Sequence, residues 1–203
     1  MRVRTLPVLC LVATVRAASV PLIVDAVPQL PTALASVLQS RGLTSCTPIQ
    51  AAALPRAAAG ESLLLHAATG SGKTLAMLLP ALARAEVGGG SILVMSPTRE
   101  LGAQLVDEIR ALLPESASDI KLLAQGHALS AEDLCTSRVV VATPAEYCVA
   151  LACGGDDKAA GALATRIGAA TSTVVLDEID ALIPGQKVRT SPYLSQYSPA
   201  TST

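Results

Sequence analysis

One octapeptide constrains this chain more than any other stretch: Ala67-Ala68-Thr69-Gly70-Ser71-Gly72-Lys73-Thr74. An apolar run, Leu63-Leu64-Leu65, precedes it, and a helix-like run, Leu75-Ala76-Met77-Leu78-Leu79, follows. The order is therefore strand, tight loop, helix. Such a loop aims several backbone N–H groups and the positive end of a helix dipole at one spot, which suits a polyphosphate. Gly70 and Gly72 carry no side chain to block that approach. Lys73 can reach the β- and γ-phosphates, and the Thr74 hydroxyl can ligate Mg²⁺. Ala67 stands where the general phosphate-loop pattern has Gly. A glycine-rich turn without a ligand is the alternative, and the strand–loop–helix setting favours nucleotide. Ala68 to Thr74 are the candidate phosphate-binding residues.

Other apolar runs recur along the chain. Ser91–Ser96, Ile120–Ala124, Val139–Ala142 and Thr173–Leu176 predict buried strands, and Ser62–His66 is the strand entering the loop. Helices are predicted over 31–41, 48–59, 73–86, 99–113, 144–152 and 159–169, with Pro55 and Pro80 expected to kink theirs. Alternating strands and helices imply an α/β fold with a parallel sheet covered on both faces. Ligands of such sheets gather at the carboxyl ends of the strands. The phosphate loop, Ser96–Arg99, Thr143-Pro144 and Asp177-Glu178 all follow strands and should share that edge. The chain has three Tyr but no Phe or Trp, so the core is built from small aliphatic residues. A net charge of −1 supplies no global positive field for nucleic acid, so any such binding needs a local patch. The five Cys are scattered without a C-x-x-C pair, which argues for reduced core thiols over a metal site or disulfide framework.

Val174-Val175-Leu176-Asp177-Glu178 has the composition of the second half of a nucleotide site. A carboxylate ending a buried strand beside a phosphate loop can hold Mg²⁺ through its water shell, a role for Asp177. Glu178 then stands where it can orient or deprotonate an attacking water, and Lys73 clamps charge on the transferring phosphate. The alternative for Asp177 is an ordinary helix N-cap. His66 and His127 fit packed or solvated roles and not catalysis.

Taken in order, these segments resemble the first RecA-like domain of a DEAD-box ATP-dependent RNA helicase. Thr47-Pro48-Ile49-Gln50 after Gly42 resembles the Q motif, and Ala67–Thr74 the phosphate loop. Pro97-Thr98-Arg99-Glu100-Leu101-Gly102-Ala103-Gln104 resembles motif Ia, with Gly102 where Ala is usual. Thr143-Pro144 resembles the start of motif Ib. Asp177-Glu178-Ile179-Asp180 stands at the namesake motif with Ile179 replacing Ala. The resemblance runs from about Val24 to Ile183. It implies ATP and Mg²⁺ as cofactors, with Gln50 reading adenine and Thr47 beside it in the nucleotide site. It implies RNA contacts from Pro97, Thr98, Arg99, Gly126, Thr143 and Pro144. A Gln amide carries the donor and acceptor that this reading of adenine needs. An ordinary salt bridge, to Asp107 or near Glu100, is the alternative for Arg99.

Departures from the family pattern matter equally. Asp25 lies where the family's stacking aromatic would be, forgoing about 1–3 kcal/mol of base stacking. The family's Gly-Gly turn reads Gly126-His127. Motif Ib ends in Ala145-Glu146 where the family has Gly-Arg, which puts a negative charge where a cation would meet phosphate. The resemblance implies that the sheet could be missing one central strand, which in the family lies between the phosphate-loop strand and the one ending at Asp177. The second RecA-like domain, with its arginine fingers, has no counterpart in these residues.

Residues 1–20 carry Arg2, Arg4 and Arg16, no acid, and an apolar centre over Leu6–Val15, too short for a transmembrane helix. An organelle transit segment fits first, a plain extension second and a secretory signal least. Localisation would be mitochondrion or plastid in the first case, cytoplasm or nucleus otherwise. Residues 184–203, rich in Ser, Thr, Pro and Tyr, suggest a disordered tail. The expected function is the ATP-binding domain of an RNA helicase that does not unwind RNA as this chain alone. The alternative is a non-catalytic module that holds nucleotide, a protein partner or a second RecA-like domain. No membrane partner is expected.

Overall fold

Turn chemistry sets the helix boundaries. The computed structural model describes residues 9–11, 21–123, 129–152 and 157–183. A short strand β1 (Leu9–Leu11) and a single helical turn α1 (Ile23–Ala26) come first. Helix α2 (Thr32–Ser40) ends before Gly42, which adopts φ +71°. Helix α3 (Pro48–Ala58) starts with Pro in its first turn, where no N–H is needed, and Gly60 follows it at φ +91°. After strand β2 (Leu63–Leu65), helix α4 (Lys73–Gly88) runs between Gly72 and Gly89, both at positive φ. Both α3 and α4 continue past their internal prolines, Pro55 and Pro80. Strand β3 (Ser91–Met95) leads to α5 (Arg99–Leu112), where the Thr98 hydroxyl accepts the Leu101 N–H at 3.3 Å.

A 3-10 turn (Pro114–Asp119), β4 (Ile120–Leu123), α6 (Ala131–Thr136), β5 (Val139–Ala142), α7 (Pro144–Ala152), α8 (Asp157–Ala170), β6 (Thr171–Leu176) and α9 (Ile179–Leu182) complete the order. Helices α1, α6 and α9 and the 3-10 turn are too short for periodicity to reveal. Helix α6 has a local signal, a capping pair in which Ser130 Oγ accepts the Asp133 N–H at 3.0 Å and the Asp133 carboxylate accepts the Ser130 N–H at 3.1 Å.

Four strands form one parallel sheet in the order β4-β5-β3-β6. Alternation along the strands divides the core in two. Ile92, Val94, Val139, Val141 and Val175 pack with helices α2 to α5 on one face. Leu93, Val140 and Ala142 pack with Leu134 of α6 and Leu163 and Ile167 of α8 on the other. The α/β, RecA-like architecture with helices on both faces is therefore present.

One expectation is corrected. The phosphate-loop strand is not in this sheet: β2 pairs in parallel with β1, Leu9 to Leu63 through Leu11 to Leu65. The described residues supply no strand between β2 and β6, so the two ladders stay separate. The consequence shows on β6, whose Val174 and Leu176 are 56% and 44% exposed while Val175 is buried. Among the described residues no helix is long and apolar enough to cross a membrane. Most of residues 1–20, the Gly126-His127 turn and the tail over 184–203 lie outside the described residues.

Leu54 of α3 is fully buried in the larger core. Leu54→Ala should lower unfolding free energy by about 2–5 kcal/mol in urea titrations, the cost of lost transfer energy plus cavity.

Candidate functional site

The phosphate loop is held from behind by α3. Gln50 is buried; its Oε1 accepts the Thr47 N–H at 2.8 Å, and its Nε2 donates to the Gly72 carbonyl at 3.1 Å. Gly72 sits at φ +91°, and a Cβ there would come within 2.5 Å of Gln50 Nε2. Gly70 is at φ +76° in open space. The two glycines thus serve different needs: Gly70 only turns the chain, whereas Gly72 also admits the Gln50 amide. Each group of that amide retains bonding capacity beyond these contacts.

Lys73 opens α4, and its ammonium folds back to donate to the carbonyls of Ala67 and Ala68, the latter at 3.0 Å. A cation resting on neutral carbonyls gains full-charge attraction on exchange to a phosphate, which the carbonyl dipoles do not supply. The Ser71 hydroxyl is buried without a hydrogen-bond partner in the protein, and the Thr47 side chain faces the Gln50 N–H in the capping box that opens α3. A buried hydroxyl left without a protein partner inside such a loop fits a site whose ligand would supply one. Thr69 and Thr74 flank Ser71, Thr69 exposed and Thr74 half-buried.

Asp177 continues the ladder beyond β6, its N–H donating to Met95 O at 3.0 Å. Burial pushes its carboxyl pKa up, and the Glu178 N–H bond and the nearby Lys73 ammonium only partly offset this. The alternative cap role is not what the carboxylate does, since Asp177 Oδ1 accepts from the adjacent Glu178 N–H at 3.1 Å. Glu178 has φ +47°, the one positive value at a non-glycine among the described residues. A β-carbon in that region costs about 1–3 kcal/mol and marks a place where side-chain direction matters more than backbone comfort. Thr74 and Asp177 offer oxygen ligands only, the donor set of a hard cation. Among the described residues no cluster of three or more His, Cys, Asp or Glu suits another metal.

The second group of predicted residues forms a separate concave face. Residues Pro97 to Arg99, Thr143 to Ala145, and Ala181 with Leu182 of α9 line an open cavity of about 390 Å³. The starts of α5 and α7 thus meet the helix that follows Asp177-Glu178. Arg99 pairs neither with Asp107 nor near Glu100: its Nε donates to Glu146 Oε1. Thr143 Oγ1 donates to Glu146 Oε2 at 3.0 Å. Sequence reasoning missed this pair. The Thr143-x-x-Glu146 spacing signals a cap, but it says nothing about an arginine 47 positions away. Gly126 lies outside the described residues. Asp25, at the place of the missing aromatic, is exposed in α1. The thiols of Cys46, Cys135 and Cys148 are free; Cys46 is buried, Cys135 half-buried and Cys148 exposed.

Residues 47–197 match the family model described as DEAD/DEAH box helicase. The chain belongs to the DEAD/DEAH box helicase family. It is 42% identical over 104 residues to the ATP-dependent RNA helicase SrmB of Escherichia coli, covering 48% of this chain and 23% of that one. It is 32% identical over 164 residues to DEAD-box ATP-dependent RNA helicase 16 of Oryza sativa subsp. japonica, covering 74% of this chain and 24% of the other. Among solved structures it resembles the RNA helicase Prp28 of Chaetomium thermophilum bound to ADP. That match has a TM-score of 0.54 and 25% identity, and covers 72% of this chain and 43% of that chain. The chain therefore corresponds to the ATP-binding, first RecA-like domain and spans about a quarter of those two curated helicases.

Two outcomes follow from this geometry. Gly72→Ala should abolish measurable nucleotide affinity in fluorescent-ADP titration, whereas Gly70→Ala, strained by about 1–2 kcal/mol but unobstructed, should only weaken it. Asp177→Asn should raise the melting temperature of the ligand-free chain at neutral pH. With the folded carboxyl pKa raised, ionisation opposes folding fully above that value and not at all below the unfolded Asp value. The gap between variant and wild type should accordingly close as pH is lowered through that window.

Proposed function

We propose that this domain binds MgATP at the phosphate loop and an RNA backbone at the Arg99 cavity, and that by itself it does not unwind RNA. The observation that carries the nucleotide half is the loop itself. Lys73 is parked on Ala67 and Ala68, Ser71 Oγ has no partner, and Asp177 is near enough to feel the ammonium. Polyphosphate entering the loop would take Lys73 from its carbonyls and satisfy the N–H groups opening α4. Thr74 and Asp177 would hold Mg²⁺, which supplies charge neutralisation on the phosphates. Glu178, with its left-handed backbone, is placed to orient or deprotonate the attacking water. Gln50 fixes the loop through Gly72 and reads the adenine edge with its remaining donor and acceptor. Thr47 stands beside it at the start of α3.

Pro97, Thr98, Arg99, Thr143 and Pro144 share one cavity with α9, so RNA and nucleotide sites meet at the helix leaving Asp177-Glu178. Gly126 is assigned to the same RNA surface from its motif alone. Unwinding in this family requires closure of two domains, and an arginine finger is worth about 10³–10⁵ in phosphoryl-transfer rate. The 203-residue chain should therefore show at most trace ATP hydrolysis, unstimulated by RNA, in a phosphate-release assay. RNA-stimulated strand separation by the purified chain would contradict this.

A further inference from the structure

We propose that Glu146 is an internal anion that occupies Arg99 and sets how strongly this domain grips an RNA phosphate. The inference rests on the RNA assignment of the Arg99 cavity and specifies how that site is regulated. Within the pair, the acid is the anchored member. The Glu146 side chain is only 11% exposed, whereas that of Arg99 is 49% exposed. Thr143 Oγ1 donates to Glu146 Oε2 at 3.0 Å and accepts the Glu146 N–H at 3.3 Å, so the carboxylate is pinned at the start of α7. Its other oxygen accepts the Arg99 Nε–H. The carboxylate thus presents to Arg99 an anionic oxygen of the kind a phosphate would offer.

A phosphate approaching this cavity must compete for a guanidinium already engaged by Glu146. The competition follows from one side chain and requires no change in fold. Glu146 also has a structural duty at the start of α7, where an acid favours the helix dipole. Glutamine keeps its shape and can still accept the Thr143 hydroxyl, so Glu146→Gln removes the charge with little else.

The test is fluorescence anisotropy of a labelled single-stranded oligouridylate with the whole chain, titrated over a range of salt. Wild type is compared with Glu146→Gln, Arg99→Ala and the double variant. Glu146→Gln should bind about threefold tighter at moderate salt, with a log–log salt slope steeper by about 0.7, the signature of one more phosphate contact on a single strand. In the Arg99→Ala background the same substitution should change neither. If Glu146→Gln leaves affinity and slope unchanged while Arg99→Ala weakens binding, the lock is wrong and the RNA site stands. If the gain persists without Arg99, a general charge effect replaces the pair and the proposal fails. Absence of binding by every variant would overturn the lock and the RNA assignment together.

Discussion

The contact between Gln50 and Gly72 joins the two halves of the nucleotide site. One carbonyl, that of Gly72, accepts the Gln50 amide and also the Ala76 N–H that closes the first turn of α4, each at 3.1 Å. The arrangement needs a residue with no Cβ in a left-handed conformation, and it needs a buried amide one helix away. Given those two, α3 fixes the mouth of the loop and α4 fixes Lys73 and Thr74. The dipole of α4 then points at whatever the loop holds. Gln50 therefore shapes the phosphate loop from a buried position, with donor and acceptor capacity left over for the adenine role proposed above.

The sheet places the rest. Strands β3, β5 and β6 are parallel and end together, so Pro97, Thr143 and Asp177 emerge along one edge without help from loops of unusual length. Helix α9 is a single turn, yet it connects the carboxylates of Asp177-Glu178 to the wall of the Arg99 cavity through Ala181 and Leu182. Strand β2 is the exception, paired with Leu9–Leu11 and separate from β6. The exposed Val174 and Leu176 mark where the ladder stops.

Much of this was legible in the residues. Apolar runs identified β3 and β5 within a residue of their ends, because a strand buried on both faces has few polar positions to confuse its limits, and β4 was found equally well despite Lys121 in its middle. Helix α3 was legible from Pro48 and Gly60 at its ends, α4 from its place after the phosphate loop, and α5 from the helical spacing of Leu101, Leu105, Ile109 and Leu112. Strand β1 was not, since three residues inside a longer apolar run carry no periodicity of their own. The pairing of β2 with β1 was not legible, because strand neighbours are a property of the whole sheet and not of the segment. At the site, motif chemistry located Lys73, Asp177 and Gln50, but the local interactions were invisible. That Lys73 rests on two carbonyls depends on loop geometry. That Arg99 faces Glu146 depends on β3 and β5 lying side by side.

Calorimetric titration of the purified chain with MgADP and with MgGDP tests the central claim most directly. The account predicts saturable binding of one ADP per chain, with GDP weaker by about tenfold or more, the scale of one or two mispaired hydrogen bonds at the Gln50 amide. Equal affinity for the two nucleotides would contradict the role given to Gln50. Absence of binding by either would contradict the nucleotide site itself.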